Sequence, residues 1–68
     1  MRRIILYQDE TGMWVVECPS LPGCISQGET REEAIANIQH AIRLYIDVLR
    51  EDGKPVPEES TQVEVLTV

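Results

Sequence analysis

The chain has one histidine, two cysteines and only six basic residues among 68, and each shortage removes a class of function. A structural zinc site takes four Cys or His ligands, often in C-x2–4-C pairs. Here Cys18 and Cys24 are spaced C-x5-C and the single histidine, His40, lies well downstream. Two cysteines are also a poor disulfide framework, and a cytosolic compartment disfavours a bridge between them. Six Lys and Arg against twelve Asp and Glu leave a net charge of −6. That balance repels a phosphate backbone, so direct nucleic-acid binding by this chain alone is not expected. Long apolar runs are missing as well. The run after the basic start, "IILY", is four residues, far short of a signal-peptide core or of the roughly 20 residues a membrane span requires. The chain reads as soluble and cytoplasmic.

Catalytic apparatus is equally scarce. Gly12, Gly23, Gly28 and Gly53 are spaced as turn punctuation, not as a phosphate-binding loop. A nucleophilic cysteine needs a base and an orienting partner, but His40 falls two residues from both Ile38 and Ile42 and so points off the apolar stripe they define. The acidic pairs Asp9-Glu10, Glu32-Glu33, Glu51-Asp52 and Glu58-Glu59 lie at a turn, at helix ends and in a linker. No catalytic residue, cofactor or metal ligand is expected, and the chain reads as a non-enzyme. Both cysteines read as small buried apolar side chains.

What the sequence does contain is a clear order of elements. "RRIILY" (2–7) and "MWVVEC" (13–18) read as strands, joined through "QDETG" as an antiparallel hairpin. On the second strand Trp14, Val16 and Cys18 share the face better suited to a core. "PSLPG" must then leave the sheet, because Pro19 and Pro22 cannot donate to a ladder and Pro22-Gly23 is a turn signal. The chain returns as a short third strand, "CISQG" (24–28).

Thr30 and Glu33 have the spacing of a capping box, with Glu32 and Glu33 placing negative charge in a first helical turn. Apolar residues recur at Ile35, Ile38, Ala41, Ile42, Tyr45, Ile46 and Leu49, a helical period. Gly53 and Pro55 stop it, so a helix over 31–52, roughly 33 Å long, is expected. "KPVPEES" connects it to "TQVEVLTV" (61–68), where Val63 and Val65 alternate with Gln62 and Glu64 as in a last strand. The result is a single α+β domain over 1–68, ordered β-β-β-α-β, with one long helix on one face of the sheet.

At this size a domain buries only about 60% of the surface its unfolded chain exposes, so it needs support beyond its own core. With disulfides and metals set aside, self-association remains. Leu44 and Val48 lie off the main helical stripe, and Val63, Val65, Leu66 and Val68 form a terminal strand with an edge to offer. These six residues are the candidate contacts of a homodimer or a dimer of dimers.

The combination of Asp-Glu-x-Gly before the aromatic strand, Pro-x-Leu-Pro-Gly-Cys in the bend, and Gly-x-Thr-x-Glu-Glu-Ala into the helix resembles the N-terminal domain of HicB-type antitoxins. The likeness covers about residues 4–49, and the last strand is compatible in length and place. It implies a partial ribonuclease H-like fold and self-association as dimers or tetramers. The function it implies is masking of a small basic mRNA-cleaving toxin in a type II toxin–antitoxin pair. An acidic chain suits such a partner independently of the resemblance. The carboxylate cluster of ribonuclease H-like nucleases is not identifiable, so nuclease activity is not carried over. The C-terminal DNA-binding domain of many such antitoxins has no counterpart within these 68 residues, so DNA-binding autoregulation is not expected of them. Asp9, Glu10 and Glu17 on or beside the hairpin, with Glu32 and Glu33 at the helix start, are the candidate partner-binding residues. The alternative is an orphan homo-oligomeric interaction module without a toxin.

Overall fold

The structure, a computed structural model, describes residues 1–59 and 62–68. Three strands, β1 (Ile5–Gln8), β2 (Trp14–Glu17) and β3 (Ile25–Gly28), form an antiparallel sheet in the order β1-β2-β3. One helix, α1 (Arg31–Glu51), lies across one face. The expected α+β arrangement of three strands and a long helix is therefore present, with each strand a residue or two shorter than its apolar run.

Register decides which side chains meet the helix. Leu6 pairs with Val16 and Val16 with Ser26, while Gln8 pairs with Trp14 and Trp14 with Gly28. These rows face α1. The core consists of Val16, Cys18, Leu21, Cys24, Ala34 and Ile38, with Ile4, Leu6, Trp14, Ala41, Ile42, Tyr45 and Ile46 packed around it. The face of β2 expected to point inward does so. Two core members lie outside the expected helical stripe and strands. Leu21 projects from the proline-rich bend into the core, and Ala34 presses the first turn of α1 against β3.

That close approach depends on Gly28. A Cβ there would stand 2.5 Å from the Ala34 backbone nitrogen and 2.9 Å from the Glu33 carbonyl carbon. Backbone cannot swing aside as a flexible side chain can, so only glycine lets the sheet and the helix start meet.

The helix begins and ends as its sequence dictates. The Thr30 hydroxyl accepts from the Glu33 N–H at 3.1 Å, satisfying one of the first-turn donors. The reciprocal bond of a capping box, from the Thr30 N–H to the Glu33 carboxylate, is absent among the described residues, so Thr30 caps alone. At the other end Gly53 adopts a φ of +67°. Its N–H donates to the Arg50 carbonyl and the Lys54 N–H to the Leu49 carbonyl, the paired bonds of a Schellman ending.

The expected last strand is not part of this sheet. Thr61 lies outside the described residues, and residues 62–68 have no regular secondary structure and are exposed. Alternation of apolar residues gives a segment strand character, but a strand forms only where an edge pairs with it. Just before this segment the chain is held firmly. Arg2 donates to the Pro57 carbonyl at 2.6 Å and to the Ser20 hydroxyl at 3.0 Å. Glu59 accepts from Ser20 at 2.6 Å and from the Arg3 N–H at 3.0 Å. Ser20 is buried, so the bend, the N-terminus and the connector share one polar junction.

Replacing Gly28 with alanine is expected to cost about 1–3 kcal/mol, read as a lower denaturant midpoint with an unchanged slope. An unchanged midpoint would show that the helix start can move away. The bond from Ser20, then the Arg3 N–H and the two arginines, holds the Glu59 carboxyl below its ordinary value of 4.5. Its contribution to stability is therefore present above that value and lost as pH falls through the lower folded one. The stability difference between the native chain and Glu59→Gln should shrink as pH falls below about 4, whereas a constant difference would contradict the junction.

Candidate functional site

No described helix is long and apolar enough to cross a membrane. Among the described residues, no three His, Cys, Asp or Glu side chains are placed to hold a metal ion. Cys18, just after β2, and Cys24, just before β3, are buried free thiols. Burial, then the neighbouring Cys18, pushes the Cys24 thiol up, away from the thiolate a nucleophile requires. The bend between them positions the chain: Leu21 N–H bonds to the Cys18 carbonyl and Cys24 N–H to the Leu21 carbonyl. The Tyr45 hydroxyl donates to the Pro22 carbonyl at 2.8 Å, pinning the C-terminal half of α1 to the bend.

The five expected partner-binding carboxylates fall into two places. Asp9 and Glu10 lie in the β1–β2 turn, at the end of the sheet where β3 finishes and α1 begins. Glu32 and Glu33 are exposed on the first turn of that helix. Glu29, a residue the sequence reading did not single out, joins them, lining one shallow cleft with Thr11, Gly12 and Met13 of the hairpin. Glu29 precedes the cap instead of lying within the helix, so no periodic signal marks it. This end carries five carboxylates against one guanidinium, Arg31. Glu17 stands apart, at the far end of β2.

The members of the acidic end are not equivalent. One Asp9 carboxylate oxygen accepts from the Thr11 hydroxyl at 2.6 Å, the Thr11 N–H at 2.9 Å and the Met13 N–H at 3.0 Å. These bonds, the Thr11 hydroxyl's first, hold its carboxyl below the usual range. Asp9 therefore builds the turn, assisted by Gly12 at a φ of +88°. Glu10, Glu29, Glu32 and Glu33 have side chains engaged in no hydrogen bond or ion pair among the described residues, which leaves their charge available at the surface.

Glu17 belongs to the sheet face away from α1. Register aligns Ile5, Glu17 and Ile25 in one row and Tyr7, Val15 and Gln27 in the next. Among the described residues no second layer covers this face, so an acidic side chain sits among exposed or half-buried apolar ones. Leu44 and Val48, expected at an oligomer contact, are exposed on α1 beside an apolar groove whose lining includes both. Val63, Val65, Leu66 and Val68 are exposed on residues 62–68. No residue of that segment lines the groove.

Comparison with known proteins gives a consistent picture. The profile of the HicB-like antitoxin of bacterial toxin–antitoxin systems matches residues 3–68. A UPF0150 protein of Thermoplasma acidophilum is 42% identical over 59 residues, covering 87% of this chain and 86% of its own length. A UPF0150 protein of Synechocystis is 45% identical over 65 residues, covering 96% and 82%. Antitoxin HicB 2 of Photorhabdus laumondii is 43% identical over 56 residues, which span 82% of this chain but 40% of that longer protein.

Asp9→Ala should lower the thermal midpoint because three donors lose their acceptor, while Asp9→Asn should retain most of the turn through its remaining carbonyl oxygen. Equal stability of Asp9→Ala and the native chain would return Asp9 to the free acidic surface.

Proposed function

This chain belongs to the HicB-like antitoxin family, and from that premise we propose that it binds and masks a small basic mRNA-cleaving toxin as the non-catalytic member of a type II pair. The observation that carries the reading is the segregation of charge. Glu10, Glu29, Glu32 and Glu33 crowd one end of a molecule of net charge −6 without side-chain partners among the described residues, where they steer and select a basic surface. Asp9 holds the turn that presents Glu10. Glu17, on the open sheet face, is a second contact that combines charge with the apolar side chains around it. The same charge keeps this chain off nucleic acid, and masking takes place in the cytoplasm, where mRNA is cleaved. A partial ribonuclease H-like arrangement, with residues 62–68 as a further strand, belongs to the assembled protein.

A second reading, a homo-oligomeric interaction module without a toxin, is favoured by the uncharged groove at the other end of the helix. The two readings separate on what the chain retains when purified from its host. A small basic protein whose ribonuclease activity is suppressed in the complex is the expected result. The combined substitution Glu29→Lys, Glu32→Lys and Glu33→Lys should weaken that complex at least about tenfold, a larger effect than the loss of folding stability from reversing charge in the first turn of α1. Recovery of self-oligomer alone across growth conditions would establish the second reading.

A further inference from the structure

Among the described residues the sheet has two unpaired edges, and charge tells them apart. The Asp9 N–H donates to the Met13 carbonyl at 2.9 Å, and the Cys18 N–H to the Cys24 carbonyl at 2.9 Å. Bonded pairs alternate along an antiparallel ladder. The register therefore turns the backbone groups of Leu6 and Gln8 outward on β1, and those of Ile25 and Gln27 outward on β3. Edges are commonly blunted by lysine, proline or a bulge. β3 reads Ile-Ser-Gln-Gly in regular register and has none of these. Asn37 covers part of it, donating from Nδ2 to the Gln27 carbonyl at 2.7 Å. The Ile25 N–H and C=O and the Gln27 N–H have no partner among the described residues.

The helix gives each edge its own flank. On the β1 side, Ile35 and Ile42 line a cleft with Arg2 and Ile4, and Arg31 falls in the same row, one turn before Ile35. Arg2, Arg3 and Arg31 thus gather on this side, with Glu59 bonded among the first two. On the β3 side the row runs through Glu33, Asn37 and Leu44. Glu33, whose backbone lies against Gly28 at the end of β3, carries a carboxylate unpaired among the described residues. Ile25, at the start of β3, is 57% exposed. An extended segment laid along β3 meets open backbone groups, an apolar neighbour at one end and negative charge at the other. Main-chain bonds of this kind supply affinity, and alternate side chains supply specificity.

The occupant follows from charge and from where the chain is anchored. Residues 62–68 of this chain carry Glu64 as their one charged side chain, the wrong sign for the flank of Glu33. They also leave from the other side. The bonds from Arg2 and Arg3 to Pro57 and Glu59 fix the connector beside the start of β1, about 10 Å across the sheet from β3. A second copy brings the same net charge of −6. Resting on the masking of a basic protein set out above, we propose that this partner supplies an extended segment that adds to β3 as a further strand. It bonds to the backbone of Ile25 and Gln27 and sets a lysine or arginine against Glu33. The β1 edge, flanked by arginines, takes no part.

The test uses the complex of the full chain with the small basic protein retained from its host. The Gln27 N–H points away from β2, so Gln27→Pro costs the sheet no bond and places proline where an edge strand tolerates it. Circular dichroism should show its fold retained. Gln27→Pro should weaken the complex at least about tenfold, whereas Gln27→Ala, which keeps the N–H, should leave it unchanged. Amide exchange of the native complex reads the same contact without a substitution. Ile25 and Gln27 should become protected on binding, and Leu6 and Gln8 should not. A Gln27→Pro complex as tight as the native one, or free exchange at Ile25 and Gln27 in the native complex, would overturn strand addition and leave masking intact. Protection at these two amides that rises with the concentration of the free chain alone would assign the edge to a second copy and overturn the proposal as well. A native chain that retains no basic protein would remove masking itself, and this contact with it.

Discussion

A helix of 21 residues must cover one face of a sheet whose strands are four residues long. The helix is about 32 Å long and the strands about 13 Å. That mismatch governs the rest of the molecule. The N-terminal half of α1 lies on the sheet, with Ala34 against Gly28 and Ile38 in the core. Its C-terminal half runs past the sheet and is supported by the proline-rich bend, through Leu21 beneath it and the bond from Tyr45 to Pro22. Beyond that support Leu44 and Val48 stay exposed along the apolar groove. A small core and an unfinished apolar surface are thus two consequences of one geometry.

The same geometry sorts function by position. Where helix and sheet meet tightly, at Gly28 and Ala34, the β1–β2 turn, the end of β3 and the start of α1 converge and bring their carboxylates with them. Where the helix outruns the sheet, charge balances and apolar surface dominates. Under the proposed function the acidic end is the one that faces a basic protein, and the neutral end is left free. Binding at one end need not compete with the other.

Much of this was legible before the structure. The hairpin, the bend, the third strand and the helix boundaries follow from turn residues, a threonine cap and a helical period, all of which are local signals. The inward face of β2 was also readable, since Trp14, Val16 and Cys18 are wholly apolar while the alternate set, Met13, Val15 and Glu17, carries a charge. Leu21 was not readable as core, because a lone leucine among prolines has no period. Gly28 looked like punctuation, although its role is close approach across 28–34. The acidic end escaped in part for the same reason: Glu29 joins the hairpin turn only through the pairing of β3 with β2, which sets Gly28 opposite Trp14. The expected last strand shows the opposite failure: its alternation is a local pattern, and residues 62–68 pair with no edge of this sheet.

Amide hydrogen exchange across a range of protein concentrations tests most directly the claim that the helix outgrows its own sheet, together with the proposed self-association that would cover the remainder. Protection at Ala34 and Ile38 should be constant, set by the packing of the helix start on Gly28. Protection over the turn from Leu44 to Val48 should rise with concentration as those groups gain a partner. Protection that is uniform along α1 and independent of concentration would contradict the account.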